Sequence, residues 1–68
     1  MEFKDKIKKL RQRVNLTQEQ LAHVAGVTDT CYQSYEYGIR EPKVRTAIRI
    51  AKALNTTVEE LWDSNPTK

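Results

Sequence analysis

The 68 residues carry 12 Lys and Arg against 9 Asp and Glu, a net charge of +3, with 38% hydrophobic and 31% charged side chains, which is too apolar for a disordered chain and too polar for a membrane-embedded one. So short a chain has room for one domain, expected over 1–68, with too little volume for the deep pocket that catalysis requires. A single cysteine, Cys31, rules out an internal disulfide and a cysteine metal cluster; with no apolar run of signal or membrane length, the expected setting is the reducing cytoplasm.

Phe3, Ile7, Leu10 and Val14 recur at helical spacing and predict a first amphipathic helix ending near Val14 and Asn15. Thr17-Gln18-Glu19-Gln20 reads as a capping box, in which hydroxyl and carboxamide each satisfy a main-chain N–H. It opens a second helix with Leu21, Ala22 and Ala25 buried and Gly26 as its stop. Thr28 caps a third, Asp29 to about Tyr37, stopped by Gly38. Tyr32 and Tyr35, with Val27, point inward there, and Asp29, Thr30, Gln33, Ser34 and Tyr37 are left outside.

Pro42 marks Ile39 to Lys43 as a loop. A fourth helix then follows from Val44, Ala47, Ile48, Ala51 and Leu54, and Thr57-Val58-Glu59-Glu60 is a second capping box before a short fifth with Val58, Leu61 and Trp62. Residues 63–68 read as a frayed tail. The fold class is therefore all-α, five helices with no strand pattern.

Charge is distributed unevenly. Six basic residues lie between Lys4 and Arg13 and five between Arg40 and Lys52, while Asn15 to Ile39 holds none. The lone histidine, His23, has no clustered partner for metal or acid–base work. Cys31 has two readings, an unreactive helix residue or a thiol open to oxidation, and no cofactor is indicated.

Only Gly26-Val27-Thr28 separates the second helix from the third. A break that short makes the two cross steeply, as a helix-turn-helix spanning 17–38. The stretch LTQEQLAHVAGVTDTCYQSYEYGIREP, together with Ala51-Lys52-Ala53-Leu54 and Leu61, resembles the phage lambda repressor-like (Cro/repressor, XRE) family over about Ile7 to Trp62. The resemblance implies a cytoplasmic regulator of transcription that reads double-stranded DNA from the major groove with its third helix.

Position by position, the resemblance places Asp29, Thr30, Gln33 and Ser34 on base edges, although an acidic Asp29 also suits the helix dipole with no DNA role. Thr17, Gln18, Arg40, Lys43 and Arg45 fall at backbone contacts, Gln18 as a phosphate clamp. Tyr37 falls at another backbone contact, where the family often carries a small polar residue on phosphate and a phenol can make the same contact or pack on the sugar. Arg11 and Glu36 match an ion pair joining the first helix to the end of the third. A homodimer on a two-fold operator is implied, with Ile48, Leu61 and Trp62 as interface candidates; core packing is an equal reading for Leu61. Neither a membrane nor a small-molecule substrate is expected. The alternative is a protein-interaction module of the same fold, such as an antitoxin or anti-regulator.

Overall fold

In the computed structural model, which describes residues 2–62, the chain forms five helices: α1 (Phe3–Arg13), α2 (Gln18–Ala25), α3 (Asp29–Tyr37), α4 (Val44–Ala53) and α5 (Val58–Trp62). No strand occurs among the described residues. The tail expected over 63–68 lies outside them. Each helix buries one stripe into a shared core of Phe3, Ile7, Leu21, Tyr32, Ile50 and Leu61, with small Ala22, Ala25 and Ala51 letting the helices approach closely.

The ends of α1 to α4 follow one chemical rule. Each closes with a six-to-one and a five-to-two main-chain pair around a residue in the left-handed region, as in Leu16 N–H to Arg11 O and Asn15 N–H to Gln12 O after α1. Gly26 (φ 79°) and Gly38 (φ 80°) supply that residue after α2 and α3, and Asn15 (φ 63°) and Asn55 (φ 62°) after α1 and α4. Asparagine tolerates this conformation better than other residues with a Cβ.

The start of α2 is the expected capping box: Thr17 Oγ1 accepts from Gln20 N–H at 3.0 Å, and Thr17 N–H donates to Gln20 Oε1 at 2.9 Å. At α5 the arrangement differs from the expected reciprocal box. Thr57 Oγ1 accepts from Glu60 N–H at 3.2 Å, but the Glu60 carboxylate takes the Thr56 hydroxyl at 3.3 Å.

Four expected core or interface positions move. Val14 follows the last turn of α1 and is exposed, and Leu16 packs against the core after the Asn15 turn. The buried stripe of α4 is Ala47, Ile50, Ala51 and Leu54, so Val44 and Ile48, one turn apart, lie in solvent at 73% and 41% exposure. Leu61 is fully enclosed, and the dimer-interface reading of it is corrected: it is a core residue. Trp62 is half-buried and stacks on Phe3, with ring centroids 4.2 Å apart and planes 14° apart. That stack fastens α5 to the start of α1.

Candidate nucleic-acid interface

Along α3 the 100° step per residue puts Asp29, Gln33, Tyr37, Thr30 and Ser34 on one continuous arc, and Cys31, Tyr32, Tyr35 and Glu36 on the other. Burial agrees. Asp29, Thr30 and Tyr37 are exposed, Gln33 and Ser34 half-buried, and Tyr32, Tyr35 and Glu36 buried. Thr28 Oγ1 accepts from Cys31 N–H at 3.1 Å, which fixes the start of the helix.

Ser34 Oγ donates to Cys31 O at 2.6 Å, so in this rotamer the hydroxyl faces a partner as an acceptor. Such an acceptor suits the exocyclic amino group of cytosine or adenine. The chain after α3 brings a cation to the same edge: Arg40 N–H reaches Ser34 O at 3.4 Å, and Arg40, Thr28, Thr30, Cys31 and Ser34 line a shallow hollow of about 230 Å³. Lys43 and Arg45, at the start of α4, are exposed beyond it. Tyr37 is 63% exposed on the same face.

The N-terminus of α2 is the second part of the surface. Its capping box occupies the N–H groups of Thr17 and Gln20. That leaves those of Gln18 and Glu19 as the positions where the helix supplies no acceptor and a phosphate oxygen can bind. The Gln18 side chain turns inward instead, and its Nε2 donates to Glu36 Oε1 at 2.9 Å. The expected side-chain clamp is thus engaged inside the protein, and only the main chain of Gln18 remains for phosphate.

Behind the surface the Glu36 carboxylate gathers four donors. Arg11 Nε meets Oε2 at 2.6 Å and Arg11 Nη2 meets Oε1 at 3.3 Å, while Tyr32 Oη donates to Oε2 at 2.5 Å and Gln18 to Oε1. Arg11 Nη1 also donates to Leu16 O at 2.8 Å. Burial pushes the Glu36 carboxyl up, but the donors from Arg11, Tyr32 and Gln18 outweigh it and hold it below the ordinary range. The Glu36 hydrogen bond in turn raises Arg11. The Tyr32 phenol is pushed far up, first by burial and then by the carboxylate beside it.

The structure therefore joins the implied Arg11–Glu36 pair and gathers the α3 residues with Arg40. Sequence reasoning did not see Tyr32 and Gln18 on the same carboxylate. The four-residue spacing of Tyr32 and Glu36 was a signal for the first; the second joins helices 18 positions apart. Among the described residues, no group of three or more His, Cys, Asp or Glu is placed to hold a metal, and no helix is long and apolar enough to cross a membrane.

Two capped helices crossing at a three-residue turn, the second showing a polar face, define a helix-turn-helix domain. A family model described as helix-turn-helix matches residues 7–61, and the chain belongs to that family, in its lambda repressor-like form. It is 37% identical over 59 residues to the uncharacterised HTH-type transcriptional regulator YqaE of Bacillus subtilis, covering 87% of this chain and 51% of that protein. It is 34% identical over 61 residues to the cryptic phage CTXphi transcriptional repressor RstR of Vibrio cholerae, covering 90% and 54%. The chain thus spans about half the length of these curated relatives. Its fold is that of the P22 c2 repressor crystallised with a synthetic operator, with a TM-score of 0.89 at 20% identity over 96% of this chain and 98% of that one.

Proposed function

We propose that this protein is a cytoplasmic, sequence-specific regulator of transcription that binds double-stranded DNA, acting as a repressor or autoregulator. The observation that carries the reading is the polar arc of α3 with Arg40 drawn to its edge. In a major groove, Asp29, Thr30, Gln33 and Ser34 read base edges. Main-chain N–H groups of Gln18 and Glu19, with Tyr37, Arg40, Lys43 and Arg45, hold phosphates and set the register; the Thr17 N–H and hydroxyl are engaged in the capping box. The role is binding, and no catalytic step is assigned to the chain.

α3 itself carries no Arg or Lys, so affinity comes from its flanks and from pairing two copies on a two-fold operator. The exposed Ile48, with Val44 one turn away and the half-buried Trp62, are the candidate dimer contacts. The two α3 helices then lie about 34 to 36 Å apart, one turn of DNA.

A mobility shift against the upstream region of its own gene tests the reading. Wild type is expected to form a sequence-specific complex that the Thr30→Ala, Ser34→Ala double variant loses. Binding that is non-specific and the same for both would return the chain to the class of protein-interaction modules. Sedimentation checks the pairing: a monomer at tens of micromolar with no cooperative DNA binding defeats it.

A further inference from the structure

In a helix-turn-helix the short turn fixes only one corner of the angle between the two helices. Here α2 and α3 meet at Gly26-Val27-Thr28, and their far ends, Gln18 at the first position of α2 and Glu36 in the last turn of α3, are joined by the 2.9 Å bond from Gln18 Nε2 to Glu36 Oε1. Two helices and this bond form a closed triangle. Arg11 secures its far corner by binding both Glu36 and Leu16 O, just ahead of the α2 cap. Tyr32 Oη holds the other carboxylate oxygen.

We propose that Gln18 is a positioning residue: its side chain acts in DNA recognition through Glu36, as a strut that sets the angle between α2 and α3, and Tyr32 steadies the carboxylate that receives it. Phosphate on α2 then fixes the direction in which α3 enters the groove. This rests on the DNA-binding reading above. It differs from a side-chain phosphate clamp in a measurable way, because a phosphate contact carries no sequence information and serves specific and non-specific DNA alike. A strut serves only the geometry on which base readout depends.

The test uses a duplex that the wild-type protein selects from random DNA and a scrambled duplex of equal length. Gln18→Ala and Tyr32→Phe are each expected to lower the preference for the selected over the scrambled duplex about tenfold, with the difference in salt dependence between the two duplexes retained. The double variant should lose far less than the product of the two, since both act on one carboxylate. In DNA-free protein, each should shift the Arg11 Nε resonance, and thermal unfolding monitored alongside shows that both variants are folded at the assay temperature. Equal weakening on both duplexes, or multiplicative losses in the double variant, overturns the strut. If wild type enriches no site at all, it is the DNA-binding reading that fails.

Discussion

Arg11 and Glu36 meet across 25 positions of sequence, Nε to Oε2 at 2.6 Å, with their side chains only 11% and 2% exposed. Such a pair adds little net stability once its desolvation is counted, yet removing one member strands the other in a water-poor site. Glu36→Ala is expected to destabilise the fold by about 3 to 5 kcal/mol, a large share of what a small domain possesses. Urea unfolding measures it; equal midpoints for variant and wild type would contradict it.

The same carboxylate shapes the acid limb of stability. Its folded value is lowered, because the donors from Arg11, Tyr32 and Gln18 outweigh burial. Below the ordinary glutamate range of about 4.3 the unfolded chain takes up a proton that the folded chain refuses. The contribution is therefore present above that range and disappears as pH falls through the lowered folded value. Melting temperatures of wild type should fall along this limb, and those of Glu36→Gln should change less over the same window.

At the alkaline end the sign reverses. Burial, together with the Cys31 thiol at 3.3 Å, pushes the Tyr35 phenol up to about 12, and Tyr32 is also raised. Between the ordinary tyrosine value of about 10 and the folded one, the unfolded chain ionises while the folded chain keeps its proton, so stability is intact below that window and declines across it. Ionisation of Tyr32 and Tyr35, followed by phenolate absorbance, should coincide with loss of helix; phenolate formation at both near the ordinary value with the helices intact would refute this.

The helices and their stops were legible because capping chemistry is local: a Thr hydroxyl three residues from its N–H, or a Gly after the last apolar turn, needs no tertiary information. Where periodicity alone had to decide, it failed by one face. In α4, Val44 and Ile48 share a helical spacing as good as that of Ala47, Ile50, Ala51 and Leu54, and only the position of α2 selects the second set. Leu61 is the same case, since apolar character suits a core and an interface equally. The outward face of α3 could be read from the inward pull of Tyr32 and Tyr35. Gln18 could not, because its partner is brought near only when α2 folds back across α3.

Gly38 makes a local prediction. Its φ of 80° is a conformation that L side chains rarely adopt, and a Cβ there would lie 2.7 Å from Lys4 Cδ. The Lys4 stem can swing away, so the cost of Gly38→Ala is mainly conformational, about 1 to 2 kcal/mol. Gly38→Asn should lose less, as the αL asparagines at 15 and 55 indicate. Thermal melts that rank alanine at or above asparagine would oppose this.

Arg40 and Lys43 should be visible in the salt dependence of DNA binding. α3 carries no cation of its own, so the counterions released on binding must come from phosphates met by its flanks. Each phosphate neutralised steepens the fall of log affinity with log salt by about 0.9. Arg40→Ala and Lys43→Ala should therefore each flatten the slope by roughly that amount, together additively, and should weaken selected and scrambled duplexes to a similar degree. Lys9, exposed on α1, serves as the comparison, and Lys9→Ala should leave the slope almost unchanged. A slope that drops as much for Lys9 as for Arg40 would mean that binding follows net charge alone; the side of the molecule that carries α3 would then have no special standing on DNA.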